Sequence, residues 1–435
     1  MPAVWRLSWP IILSNVTVPM LGLVDTAVMG HLDDARYLAA VTLGATLFSF
    51  LFWSFGFLRM GTTGLTSQAF GRDEHQAIRT LLGQSLIIAL VIGIALIVCA
   101  TPLIELGLWL LQGNQDTRLL ASSYAHIRIL SAPAVLANYA IIGWFLGQQN
   151  SRVTLALMVL TNSVNIVFDL IFVMGLSMTS DGVAWGSVIA DYTALVAGLG
   201  MLAHRLGKLD GRLLLEPLRR INAYAELFRV NRHLFVRTLC LLFAMAFFTS
   251  QGAQLGDDVL AANAVLMQCV MLVSYGLDGF AHAAEALTGR AAGRRDWAQF
   301  TAAVRACTLF SLITAALASL FFAGAGQWLI AQLTDLREIR DIASHYLNWL
   351  VIMPLIAVWS YLLDGVFIGA TETKAMRDTL LLSVAIYLPT WYCTQTLGNH
   401  GLWLSFTLFT CVRSLSLGLI YRHYRRQRWH SESQA

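Results

Sequence analysis

The sequence predicts an all-α polytopic membrane protein: twelve transmembrane helices forming two pseudo-twofold-related six-helix lobes around a central cavity. Three observations lead there. The chain has 435 residues, 57% hydrophobic and 12% charged, about half the charge of a typical soluble domain. Its apolar residues come in stretches of membrane-crossing length. The second half repeats the first at a constant offset.

The apolar stretches fall at 6–31, 37–69, 80–111, 119–147, 152–176, 183–204, 233–256, 259–289, 300–332, 341–369, 376–397 and 399–421. About 20 mainly apolar residues cross the hydrocarbon core, so each is long enough, and the longer ones imply tilt, kinks or protruding ends. The first stretch is too long for a signal-peptide core, only five residues precede Arg6, and it contains Asp25. It reads as a retained spanning helix.

Basic residues fix the expected orientation. Loops after even-numbered helices, with the C-terminal tail, carry nineteen Lys and Arg, against four in the odd-numbered loops (Arg36, Arg118, Arg337, Arg340). The positive-inside rule then predicts cytoplasmic termini. The same rule accounts for the net charge of +4. The tail after residue 421, with Arg422, Arg425, Arg426 and Arg428, suits anionic lipid rather than nucleic acid. The midpoint loop is basic, and its stretch 217–228 reads as an amphipathic interfacial helix.

A shift of 222 residues lays Leu38-Ala39-Ala40 on Leu260-Ala261-Ala262, Leu65-Thr66 on Leu287-Thr288 and Gly71-Arg72 on Gly293-Arg294. It also lays Gly143, Phe145 and Gly147 on Gly365, Phe367 and Gly369. Six helices per half is an even number, so the repeats enter from the same side and are parallel. The expected domains are an N-lobe at 1–204, a cytoplasmic linker at 205–232, a C-lobe at 233–421 and a basic tail at 422–435. The ionisable residues do not follow the repeat: Asp278 falls on Gly56, Glu285 on Thr63, Asp364 on Ile142 and Asp169 on Trp391.

Asp25 lies in the first apolar stretch and Asp169 in the fifth. A carboxylate at mid-membrane costs about 2.5 kcal/mol or more, which marks it as a functional candidate. Asn162, Asn165 and Asp169 are spaced i, i+3, i+7 and share a helical face. Two carboxylates and two amides suit uptake and release of a proton, or oxygen ligation of sodium. Hydrogen-bonded helix packing is the alternative use of the asparagines. Pro10 and Pro19 interrupt the first helix and offer a hinge.

In the second half Asp278, His282 and Glu285 are spaced i, i+4, i+7, and Asp364 lies near Tyr361. They form a candidate second cation site, or a structural network. Asp191, one turn after Ser187, is a candidate cavity residue with Asn162. The six cysteines lack ligand spacing and read as small buried hydrophobes, so no metal or cofactor is expected. No Gly-rich phosphate loop, nucleophile–base pairing or metalloprotease spacing is present, and the chain is not expected to be an enzyme.

These residues resemble the multidrug and toxic compound extrusion (MATE) family, in its DNA-damage-inducible branch. The likeness rests on Trp9-Pro10, on the run from Gly22 to Leu32 around Asp25, on Gly64-Leu65-Thr66 before Gly71, and on the run from Leu363 to Ala370. The resemblance implies a bacterial inner-membrane antiporter that exports amphipathic, often cationic drugs. It implies that Asp25 is the central protonation site, supported by Asn165, Asp169, Ser187 and Asn138, with bending at Pro10. The sodium-driven branch carries an acidic residue on the seventh helix, and none lies within 233–256. That favours protons, with sodium as the variant and the C-lobe site open through Asp364. The expected partners are drugs and membrane lipids, and the expected unit is a monomer. A flippase for lipids or lipid-linked precursors is the rival from another class, and it needs Arg59, Arg128 and Arg237 to line the cavity.

Overall fold

The computed structural model describes residues 2–29, 35–111, 115–212 and 214–432, with side chains described outside 18–35 and 428–432. Among these residues the chain builds twelve long helical rods, numbered here in chain order. α1 is Pro2–Met29, α2 is Ala35–Ser54 continued by Phe57–Gly71, and α3 is His75–Val98 continued by Ala100–Leu111. α4 is Gln115–Gly147 and α5 is Ser151–Gly175. α6 is Ser180–Leu206, α7 is Ala225–Gln254, α8 is Asp257–Gly293 and α9 is Trp297–Leu333. α10 is Arg337–His345 continued by Leu347–Gly369, α11 is Thr373–Thr394 and α12 is Asn399–Glu432.

The breaks have local causes. α4 tightens into a 3₁₀ turn at Ile129–Ser131 just before Pro133, whose ring cannot follow an α-helical turn without loss of a bond. α5 ends in a π-helical turn at Leu170–Gly175, immediately after Asp169. Ten of the described helices are long and apolar enough to cross a membrane. Large apolar side chains such as Val91, Val98, Leu317, Leu320 and Trp328 point outward. In water such surface would be costly; in lipid it is the expected exterior.

The chain divides into two compact units, residues 13–228 and residues 1–12 with 229–435. The sequence assigns the start of α1 to the N-lobe, yet it packs with the C-terminal helices. Val4 and Leu7 are buried against Phe280, Ala283 and Ala284 of α8, and Ile12 fills the space that Gly279 leaves open. The chain passes from one unit to the other two residues after Pro10.

Each unit repeats the same local geometry. Asp73 and Gln149 take left-handed φ angles of 56° and 63° at the turns after α2 and α4. Their partners 222 residues on, Arg295 and Thr371, take 58° and 57° after α8 and α10. A β-carbon on Gly143 would lie 2.4 Å from the carbonyl oxygen of Arg59, and one on Gly365 would lie 2.2 Å from that of Ala281. Residues 59 and 281 are themselves a repeat pair. These glycines let α4 close on α2 and α10 close on α8, backbone to backbone.

The offset then changes. α11 is 22 residues long, whereas α5 with its π turn runs 25. From there the register falls to 219: Ser180 and Asn399 open α6 and α12, and Gly182 and Gly401 each seat against the preceding helix. The N-terminal repeat thus carries three additional residues around Asp169.

The linker departs from expectation. Residues 217–228 do not form one amphipathic helix: a single turn at Glu216–Arg219 stops at Arg220, which is extended, and a 3₁₀ turn follows before α7. Tertiary bonds hold this path. Leu218 packs on Gly83 of α3, the Gln84 amide donates to the Ala223 carbonyl at 3.0 Å, and the Tyr224 hydroxyl donates to the Leu218 carbonyl at 2.8 Å.

Candidate ion-coupling site

Asp169 and Asn165 lie one turn apart on α5, both almost wholly buried at 0% and 2% exposure. The Asn165 amide stands between two partners. With its nitrogen toward Asp169 it donates to Oδ2 at 3.0 Å, and its oxygen accepts from the Ser187 amide and hydroxyl of α6, each at 3.0 Å. This orientation satisfies both sides, as a buried amide requires.

Gly186 completes the arrangement, and sequence reasoning missed it. A β-carbon there would lie 2.2 Å from Asp169 Oδ1, so the carboxylate occupies the space a side chain would fill. The available signal was a glycine in the middle of a membrane helix, adjacent to a residue already chosen. The π turn after Asp169 widens the helix at this point, as π turns often do at functional sites. The result is a carboxylate removed from solvent, with an amide and a hydroxyl in series beside it.

The other N-lobe candidates fall nearby. The Asn162 amide donates to Thr17 Oγ1 of α1 at 2.7 Å, and Thr17 donates onward to the Ser14 carbonyl at 2.6 Å. Asn138 on α4 donates to the backbone oxygen of Asp191 at 3.1 Å, so its recorded bond is to α6 rather than to Asp169. Asp191 itself accepts from Arg128 at 2.6 Å. The Arg128 guanidinium also lies over the Phe52 ring, 5.3 Å from its centroid. Pro10 is buried within the helical turns of α1. Asp25 sits in the α1 helix, but its side chain lies outside the described residues.

In the second half, α8 places Asp278, His282 and Glu285 along one face; Glu285 is buried and the other two are half-buried. Asp278 is within electrostatic reach of Tyr361 and Tyr275. Asp364 belongs to a different constellation. Its Oδ2 accepts from both Arg237 of α7 and Arg413 of α12. Arg413 escaped the sequence reading, because it lies deep in the last apolar stretch and outside the loops counted for orientation. Of the three bases required by the flippase reading, Arg128 and Arg237 are thus each bound to a carboxylate.

Comparison with known proteins decides the family. The MatE profile matches residues 10–171 and 234–393, one copy in each repeat. The chain belongs to the MatE family. The MatE chain is 44% identical over 430 residues to DNA damage-inducible protein F of Escherichia coli strain K12, covering 98% of this chain and 93% of that one. It is 24% identical over 439 residues to a protein described as a probable multidrug resistance protein NorM in Acinetobacter baylyi, covering 97% and 95%. Its fold matches a crystal structure of a MATE protein in the bent conformation, with a TM-score of 0.89, 19% identity, and coverage of 99% and 96%. That likeness extends over both repeats of this MatE protein.

Proposed function

We propose that this MatE protein is a proton-coupled multidrug efflux antiporter of the bacterial inner membrane, working as a monomer with both termini in the cytoplasm. It exports amphipathic and cationic drugs by alternating access. The observation that carries the reading is Asp169: a buried carboxylate braced by Asn165 and Ser187, seated against Gly186, at a π turn that its repeat partner lacks. A cation is the natural ligand of such a group, and a proton is the one that adds no volume.

In this mechanism drug binds while Asp25 and Asp169 are ionised. Protons arriving from outside neutralise the pair, α1 bends at Pro10, and the drug leaves. Coupling requires that proton and drug favour opposite states of one site. Support for the hinge comes from α1 itself: Pro10 removes a backbone bond, and the chain changes unit two residues later. The bent conformation named for a MATE relative agrees with a flexible element in the family.

Sodium is the alternative ion, since carboxylate, amide and hydroxyl oxygens are suitable ligands. The flippase reading loses support because Arg128 and Arg237 are committed to Asp191 and Asp364. The deciding experiment is Asp25→Asn in proteoliposomes, assayed for drug-evoked proton movement. Loss of that movement is expected; wild-type coupling would remove Asp25 from the mechanism. Drug efflux undiminished by removal of sodium is expected in parallel, and dependence on sodium would transfer the site to that ion.

A further inference from the structure

Arg237, Asp364 and Arg413 bring two cationic groups and one carboxylate together inside the C-terminal unit. All three are nearly buried, with side-chain exposures of 9%, 8% and 7% respectively. Both guanidiniums use Nη2 on the same oxygen, Oδ2. The Nε–H of each is buried and makes no hydrogen bond among the described residues. A guanidinium presents five donors in a fixed fork, so one carboxylate oxygen leaves much of both forks unused. A buried charged donor without an acceptor is costly.

The surroundings indicate what such an acceptor would be attached to. The Arg413 guanidinium lies over the Tyr361 ring, 5.9 Å from its centroid. Tyr361 in turn closes one end of an apolar pocket of about 230 Å³ lined by Leu277, Phe322, Met353 and Ala357 among others. That volume is below the roughly 300–1,000 Å³ of drug-sized sites, and it suits one stretch of an apolar chain. Asp278 is the other carboxylate within electrostatic reach of Tyr361. Its ionisation decides whether these four charged groups sum to zero or to one positive charge.

We infer that the C-terminal unit carries an oxyanion site at Arg237 and Arg413, whose ligand is the carboxylate or phosphate head of an amphiphile with its chain along the Tyr361 pocket. Asp364 holds the two forks in place, and the ligand's oxygens accept from the remaining N–H groups. The site is chemically opposite to the one at Asp169. It stands independently of proton-coupled efflux, because binding alone tests it.

The test uses the full chain in nanodiscs of zwitterionic lipid, with dodecanoate as probe and methyl dodecanoate and dodecylammonium as controls. Dodecanoate is expected to bind in preference to both. Arg237→Lys and Arg413→Lys keep the charge but lose the fork, and each is expected to weaken binding about tenfold or more, as charge-assisted bonds imply. Asp278→Asn removes a repelling carboxylate without touching the triad, and is expected to tighten binding severalfold. This variant keeps the inference testable should a lysine variant fail to fold. Equal binding of the ester or the ammonium overturns the proposal, as does wild-type affinity in the folded lysine variants or no gain in Asp278→Asn. Repeating the assay with phosphatidylglycerol in the disc identifies the source: displacement of dodecanoate assigns the site to a lipid headgroup, and unchanged binding assigns it to a soluble amphiphile. Failure of this assay would leave the efflux reading untouched, since no transport is measured.

Discussion

Asp169 Oδ1 lies 2.2 Å from the point where a β-carbon on Gly186 would stand, so the carboxylate and the glycine share one space. Gly186→Ala must therefore push the carboxylate away from Asn165 or part α5 from α6. Overpacking of this kind costs about 1–3 kcal/mol. Drug resistance in the variant is expected to fall to that of Asp169→Asn. Gly200→Ala in the same helix, where nothing lies within 4 Å, should leave both resistance and the thermal midpoint unchanged.

The glycine contacts of the two repeats should also fail alike. Backbone oxygens of Arg59 and Ala281 stand where alanine at 143 or 365 would place a methyl group, and backbone cannot rotate away as a side chain can. Gly143→Ala and Gly365→Ala are each expected to lower the unfolding midpoint, by similar amounts. Gly324→Ala, in open space, is the control. A marked loss in one twin alone would break the structural equivalence of α2–α4 and α8–α10.

Thr371 holds a φ of 57°, a conformation that crowds a β-branched residue by about 1–2 kcal/mol. Thr371→Gly relieves that strain and is expected to raise stability by about 1 kcal/mol, less what glycine's greater unfolded-state freedom takes back. Thermal unfolding of the purified variant in detergent measures it. A fall in the midpoint would mean that the threonine hydroxyl, which donates to the Ala370 carbonyl at 2.8 Å, outweighs the strain.

The Arg128–Asp191 pair joins α4 to α6 with side chains only 15% and 12% exposed. Removing one partner of a buried pair costs about 3–5 kcal/mol, whereas replacing both with apolar residues is often neutral. Arg128→Met alone is thus expected to destabilise strongly, and Arg128→Met with Asp191→Leu to recover most of the loss. A double variant as unstable as the sum of its singles would show that the two side chains do not interact.

Much of this was legible along the chain, for reasons visible at particular residues. Helix ends came within a few residues because apolar runs in a membrane protein stop where water begins. The repeat was legible because glycines at 143, 147, 365 and 369 are dictated by backbone contact, which tolerates no substitute. The face shared by Asn165 and Asp169 followed from helical periodicity alone. Gly186 and Arg413 were not legible, since each acts on a residue distant in sequence that only packing brings near. The helix expected at 217–228 did not form, because bonds from Gln84 and Tyr224 to its backbone outcompete its own helical bonds.

By itself the sequence determined the solvent of this protein, its twelve helices and its duplication, because hydrophobic period and length are local properties of the chain. Tertiary structure decided how its charges are used. It set Asp169 in the hollow of Gly186, gave Asp191 to Arg128, and gave Asp364 to two arginines from different helices. In a low-dielectric interior a charge is defined by its partner, and partners are chosen by packing between helices.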